Sequence, residues 1–347
     1  MKAMVLQAGN QFWMEDVPEP KLQKNDDVIV KVTTAAICGS DLHAKHGLIP
    51  GIPIGTVMGH EFVGTIAEAG SDVTRFKVGD RVAVPPGCFC GTCPGCRRGE
   101  VQYCTNGGVW GGGENFGPDL QGAQTSYVRV PFADVCLTPI PNSVPDEQAV
   151  FVGDVFSTGF YAASEGHIRP GDTVVIYGCG PIGLGALISA WQFGPKRVFS
   201  VDMLDNRLEL AREYGAETLD AREGNVVERI REATDGLGAD VAIEAIGNPV
   251  TFLQAVQSVR RGGKVSVVGL FPFPVELPIH ELGFYSLKIS MGLADVSHMS
   301  SLMVLVESGR VDLSKLATHT FPLCDAMEAY NLFENHKDQC LKVLLKP

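Results

Sequence analysis

Basic residues are scarce in this chain. Lysine and arginine number 28 against 40 aspartates and glutamates, a formal net charge of -12 at pH 7. Nucleic acid needs Lys/Arg surfaces facing its phosphates, so no nucleic-acid partner is expected. The same deficit argues against an anionic membrane surface. Long apolar runs are missing too. No stretch approaches the roughly 20 residues of a membrane span, and the start, MKAMVLQAGNQF, lacks the apolar core of a secretion signal. The expected location is the cytoplasm. Internal repeats, low-complexity tracts and long linkers are also absent.

The 347 residues suit about two domains, and a hydrophobic fraction of 45% is ample for buried cores. Forty glycines imply many tight turns and a β-rich or α/β architecture. Ten cysteines in a reducing compartment read as metal ligands where they cluster, rather than as disulfides. The first half carries short alternating runs, such as Val28 to Val32 and Arg81 to Val84, separated by Gly, Pro and Asp, as in an irregular β-rich domain. Near residue 150 the pattern changes. A strand is expected over residues 173–177, a helix over 182–193, a strand over 197–201 and a helix over 204–214. The alternation continues through 239–245, 251–259 and 264–268. Such repetition predicts a parallel sheet. Beyond about residue 295 the pattern is mixed again and ends in the apolar run 341–345.

Gly178, Cys179, Gly180, Pro181, Ile182 and Gly183 fit G-x-G-x-x-G, placed after an expected strand and opening an expected helix. There the first glycine permits the turn, the second lets backbone approach a pyrophosphate and the third lets helix pack on strand. Asp202 closes the next strand, about 20 residues on, where a carboxylate accepts hydrogen bonds from the adenosine ribose and repels a 2′-phosphate. NAD is therefore expected rather than NADP, with Arg207 softening the preference or closing over the adenosine. The alternative is a packing turn with no ligand.

Cys90-x2-Cys93-x2-Cys96-x7-Cys104 offers four thiolates. Four thiolates close a tetrahedral zinc site and leave no open position, the mark of a structural metal. An iron–sulfur cluster or loose thiols remain open readings. Cys88 falls outside the spacing and is a candidate, with Pro86 and Trp110, for lining an active site; Trp110 reads equally as a packing residue. A second set, Cys38, His60, Glu61 and Asp154, mixes thiolate, imidazole and carboxylates, which suits a zinc that keeps a position for substrate. Singly, Cys38 reads as a small core residue, His60 as a buried hydrogen-bonded histidine and Asp154 as a cap for a helix near Ser157.

The segment Gly59-His60-Glu61-x2-Gly64-x5-Gly70-x2-Val73, continued by Val78 to Val82, resembles the zinc signature of medium-chain, zinc-dependent alcohol dehydrogenases. The four-cysteine segment and the glycine run follow in that family's order. The resemblance implies an α/β fold: a GroES-like β-rich catalytic domain over residues 1–153 and 295–347, with a structural zinc lobe at about 88–104. A Rossmann doubly wound parallel sheet binding NAD is implied over 154–294. It implies Cys38 and His60 as ligands of a catalytic zinc and Asp154 at a position where other members carry cysteine. Glu61 is implied as a ligand or as a neighbour steering the site. Asp41 resembles the acid that orients the ligating histidine, and Ser40 and His43 resemble the proton relay; His46 is expected as a surface residue. Thr158 and the backbone of Val268, Gly269 and Leu270 are expected near the nicotinamide, and Lys342 at the pyrophosphate. The implied activity is hydride transfer between a small primary or secondary alcohol and NAD, giving an aldehyde or ketone, with two zinc ions per chain. A polyol or threonine dehydrogenase is the alternative within the family, and a nucleotide-binding scaffold without activity the alternative outside it. A homotetramer is expected, with a dimer next.

Overall fold

The protein, seen as a computed structural model, is described over residues 1–117 and 120–347. Its chain divides into two compact units, Met1–Asp154 with Asp295–Pro347, and Val155–Ala294.

In the first unit, the strands Lys2–Gln7 and Gln11–Asp16 form an antiparallel hairpin. The main sheet runs in the order His319–Pro322, Val343–Lys346, Val28–Ala36, Glu61–Ala69, Arg81–Val84 and Thr138–Pro139, with Tyr127–Val130 also pairing with Val28–Ala36. Val28–Ala36 is nearly all buried, as expected of a strand with partners on both sides. Its ladder to Glu61–Ala69 is interrupted by register shifts near Val30 and Thr34. Gly64 lies at this close approach: a Cβ there would stand 2.1 Å from the carbonyl oxygen of Lys31. The glycine of the zinc signature is thus dictated by strand packing. Phe62 and Trp110 anchor the interior edge to face, with ring centroids 5.7 Å apart. The Trp110 indole N–H donates to the Pro85 carbonyl at 2.7 Å, so the ring is buried without an orphaned donor.

The second unit holds a six-stranded parallel sheet. Its order is Glu217–Asp220, Arg197–Asp202, Thr173–Tyr177, Ala239–Glu244, Val259–Val267 and Lys288–Met291. Successive strands step outward in one direction from Thr173–Tyr177 and then in the other, the pattern of a doubly wound sheet with its switch point beside the first strand. Every residue of Thr173–Tyr177 is buried. Helices Pro181–Ala190, Asp205–Glu213, Val226–Glu232 and Pro249–Ser258 supply the alternation. The strand expected over 264–268 starts earlier, at Val259, directly after the helix. Two edge strands, Glu217–Asp220 and Lys288–Met291, were not anticipated from the sequence: half-exposed edges carry no continuous apolar run to announce them. Among the described residues, no helix is long and apolar enough to cross a membrane.

Candidate metal centres and nucleotide loop

Three neighbouring strands of the first unit deliver one cluster. Ala36 pairs with Glu61 on one side and Leu344 on the other, so the segments just beyond these positions arrive together. They carry Cys38, His60 with Glu61, and Lys342. Asp154 arrives from the helix Asp146–Gly153, which packs across Val28–Ala36, Glu61–Ala69 and Arg81–Val84. That helix is held by Asp146, which accepts from Thr33 Oγ1 at 2.5 Å and from the Arg81 guanidinium.

One donor atom from each of Cys38, His60, Glu61 and Asp154 lies within 4.8 Å of the others. His60 Nε2 is 3.5 Å from Asp154 Oδ2 and 3.3 Å from Ser40 Oγ. Its other nitrogen, Nδ1, is 3.5 Å from Asp41 Oδ1. A tetrahedral zinc with bonds of 2.0–2.3 Å spaces its ligands about 3.3–3.8 Å apart, so the set closes on such an ion with small side-chain adjustments. Glu61 supplies a further sign. Its Oε1 accepts from Lys342 Nζ at 2.5 Å, while its Oε2 is buried with no hydrogen-bond partner. An unsatisfied carboxylate oxygen inside a donor set fits a cation. The electrostatics agree. Burial works against a charged His60, yet Cys38, Asp154 and Asp41 override it and hold its pKa well above the ordinary histidine value. Burial raises Glu61 in turn, opposed by Lys342. A field this negative favours a cation at its centre.

Lys342, expected at the cofactor pyrophosphate, has a side chain that is 1% exposed and ion-paired with Glu61. That bond uses one of its three ammonium donors. Burial disfavours its charge, but Glu61 and then Cys38 more than compensate and keep it protonated. His43 lies on the helix Gly39–Lys45, half-buried, with Nδ1 lacking a hydrogen-bond partner. Burial, then His46 and Lys337, hold its pKa below the ordinary value. His46 is on the surface, as expected, and bonds Glu334 Oε1 at 2.7 Å.

The four-cysteine segment is a second centre. Cys93 Sγ lies 3.5 Å from Cys96 Sγ and 3.8 Å from Cys104 Sγ, and Cys104 Sγ is 3.6 Å from Cys90 Sγ. Four thiolates around zinc at 2.3 Å stand about 3.8 Å apart, whereas disulfide sulfurs approach to about 2.05 Å. Burial works against the Cys90 thiolate, but bonds from Thr92 and Asn106 bring its pKa down to about 5, ready for a metal. Cys88, expected as an active-site lining residue, is instead a buried thiol beside this lobe. Burial pushes it up to about 11. Trp110 resolves to the packing role described above.

In the second unit, the glycine run follows Thr173–Tyr177 and opens the helix at Pro181. A Cβ on Gly183 would stand 1.7 Å from the Gly178 carbonyl oxygen, so this glycine sets how closely helix meets strand. Asp202 Oδ2 accepts from the Cys179 N–H at 2.7 Å, and Oδ1 accepts from Met203 and Leu204. Arg207 Nη1 is 4.0 Å from Asp202 and borders Gly180. Thr158 lies in the helix Val155–Glu165. The Val268 and Gly269 N–H groups both donate to the Glu244 carbonyl, at 2.9 and 3.1 Å, and Leu270 is exposed. Glu244 was not singled out in the sequence. Its carboxylate is fully buried and ties down the turn through Ile246 N, Gly247 N and Thr251 Oγ1.

Comparison with known proteins gives the same picture. The family described as "Alcohol dehydrogenase GroES-like domain" matches residues 24–142, and that described as "Zinc-binding dehydrogenase" matches residues 181–303. An uncharacterised zinc-type alcohol dehydrogenase-like protein of Bacillus subtilis, AdhB, is 36% identical, with 100% of both chains covered. The chain belongs to the zinc-dependent medium-chain alcohol dehydrogenase family. Sorbitol dehydrogenase of Bacillus subtilis is another relative, 35% identical over 100% of this chain and 97% of its own. Among solved structures, alcohol dehydrogenase TADH from Thermus sp. ATN1 superposes with a TM-score of 0.94 at 39% identity, covering 100% of this chain and 99% of that one. The GroES-like fold and the Rossmann-like parallel sheet are those of this family, and its members are alcohol oxidoreductases.

Proposed function

We propose that this chain is an NAD-dependent zinc alcohol dehydrogenase acting on small primary or secondary alcohols and the corresponding aldehydes or ketones. The observation that carries the reading is the buried set Cys38, His60, Glu61 and Asp154, with Glu61 Oε2 unsatisfied inside it. Cys38, His60 and Asp154 would hold a catalytic zinc, with Glu61 as the further carboxylate, and Cys90, Cys93, Cys96 and Cys104 a structural one. When bound, zinc supplies a Lewis acid for an alcohol or carbonyl oxygen, and the nicotinamide supplies the hydride acceptor or donor.

The chain's own residues account for the rest. Asp41 faces His60 Nδ1 and leaves Nε2 turned toward the donor set. Ser40 Oγ borders that nitrogen, where a hydroxyl can exchange a proton with a substrate oxygen. His43, kept neutral near pH 7, is the acceptor that carries the proton outward. The glycine run would cradle the pyrophosphate, and Asp202, fixed by three backbone N–H groups, would take the ribose hydroxyls and repel a 2′-phosphate. Thr158 and the Val268 to Leu270 turn are assigned to the nicotinamide end. On this reading residues 1–153 with 295–347 form the catalytic domain and 154–294 the NAD domain, in a cytoplasmic homotetramer. Exposed Phe273, Ile279, Phe284 and Met291 support self-association.

The sorbitol dehydrogenase relative favours a second reading, a polyol substrate. Initial rates with ethanol, 2-propanol, sorbitol and threonine, each with NAD and NADP, decide between them. Turnover of the monohydric alcohols with NAD is expected, together with two zinc per chain by metal analysis. Activity confined to sorbitol or threonine would sink the leading reading.

A further inference from the structure

We propose that Gln124 and Tyr330 are positioning residues of the catalytic metal centre, acting through Asp41 on the His60 imidazole. The inference rests on the metal-centre reading given above. It starts from three polar side chains that are nearly out of solvent: Gln124 at 0%, Asp41 at 2% and Tyr330 at 2% exposure. Buried polar groups need partners, and these three partner one another. The Tyr330 hydroxyl donates to Gln124 Oε1 at 2.9 Å. Gln124 Nε2 donates to Asp41 Oδ2 at 3.1 Å, an oxygen that also accepts from the Cys38 N–H at 3.0 Å. Asp41 Oδ1 is left for His60 Nδ1, 3.5 Å away.

The direction of this chain is set at its far end. Burial, and after it the Asp41 charge, hold the Tyr330 phenol well above its ordinary pKa, so it stays an O–H donor. A donor facing Gln124 fixes the amide with its oxygen toward tyrosine and its nitrogen toward aspartate. The flipped amide would set carbonyl oxygen against carboxylate. With Oδ2 occupied by two N–H donors, the free oxygen of Asp41 faces the histidine. With zinc held at Nε2, the imidazole would keep its proton on Nδ1, facing Asp41, the tautomer a metal requires. The Gln124 segment is registered against the segment that bears His60: Gln124 N–H donates to Met58 O at 2.9 Å and Ala123 N–H to Gly59 O at 2.8 Å. Tyr330 arrives from the helix Ala326–Asn335 and packs edge to face on Phe12, with centroids 5.0 Å apart.

The test is zinc release from the full-length, zinc-loaded protein to a chromogenic chelator. Release is expected in two phases, one from the mixed-ligand centre and one from the four-cysteine lobe. Tyr330→Phe removes only the hydroxyl, and Gln124→Met removes the amide at similar length. Both are expected to speed the mixed-ligand phase about 10-fold or more, the size of effect seen when the groups around metal ligands are removed, while the four-cysteine phase stays unchanged. Phe12→Leu loosens the same helix contact without touching the hydrogen bonds and is expected to leave both phases alone. Cobalt substituted at the mixed-ligand centre gives a second readout, a shifted visible spectrum in Tyr330→Phe and not in Phe12→Leu. Release unchanged within 2-fold in both hydrogen-bond variants overturns the proposal, as does equal acceleration of both phases or by Phe12→Leu. A wild-type protein that shows only the four-cysteine phase overturns the metal-centre reading itself, and the proposal with it.

Discussion

Replacing Glu61 by glutamine strikes a buried ion pair of the first unit. Its partner Lys342 is 1% exposed, and the two charged atoms are 2.5 Å apart. At an effective dielectric of about 20, unit charges at that separation attract by roughly 7 kcal/mol, a ceiling from which desolvation must be subtracted. Removing one member of a buried pair typically costs about 3–5 kcal/mol, because the other charge is left without compensation. Glu61→Gln is therefore expected to destabilise the first unit by about 3–5 kcal/mol, and the double change Glu61→Leu with Lys342→Met to recover most of that loss. The two units need not unfold together, so the probe must report on one of them. Trp110 and Trp13 lie in the first unit and Trp191 in the second. In a Trp191→Phe background, tryptophan fluorescence during urea unfolding follows the first unit, chiefly through the buried Trp110, which packs on Phe62 next to Glu61. A single substitution that costs less than about 1 kcal/mol, the scale of an exposed ion pair, would refute the reasoning. So would a double variant no more stable than the single one.

Gly183→Ala is expected to weaken NADH binding by about 10-fold or more, read by nucleotide fluorescence. A Cβ 1.7 Å from the Gly178 oxygen must retreat to a contact of about 3.3 Å, which moves the helix that would carry the pyrophosphate; unaltered affinity would remove the glycine run from the nucleotide site. For His43, burial and then the positive charges of His46 and Lys337 oppose protonation. Its loss of function should therefore set in as pH falls through a value below the ordinary 6.5. The acid limb of kcat/KM for alcohol oxidation is expected there, and Lys337→Gln should move it upward; a limb at or above 6.5 would contradict the assignment. Cys93→Ser should lower zinc content by one ion per chain and expose the lobe around residues 88–104 to protease. Full zinc content in that variant would show that the four sulfurs do not hold the metal.

What the sequence disclosed follows from the chemistry of each residue type. Cysteine and histidine at metal spacing, and glycines where a Cβ has no room, are chosen from few alternatives, so Cys90 to Cys104, His60 and Gly178 to Gly183 stand out in the chain. Gln124 and Tyr330 do not. Each is a single polar residue in an ordinary segment, and only the tertiary path that brings the helix Ala326–Asn335 to Asp41 gives them a role. Lys342 stands out as a late basic residue, but its pairing with Glu61, 281 residues away, is visible only in the fold. Cys88 lies near zinc-bearing segments in sequence, yet folds as a buried thiol beside the four-cysteine lobe. Edge strands escape for want of a pattern. Glu217–Asp220 buries only one of its four residues fully, and Lys288–Met291 none.

The pairing of Leu344 with Ala36 has a consequence for biosynthesis. The strand Val28–Ala36 emerges early, but its neighbour Val343–Lys346, and with it Lys342, is made only after residues 155–294 have been added. At about 5–20 residues per second that interval lasts roughly 7–28 s. Throughout it Glu61 lacks its ammonium partner, and the Ala35–Ala36 end of Val28–Ala36 lacks the strand that pairs with it on one side. The nascent first unit therefore waits, half-assembled, on the translation of the unit inserted within it, and the inserted unit can fold before the cluster of Cys38, His60, Glu61 and Lys342 is complete.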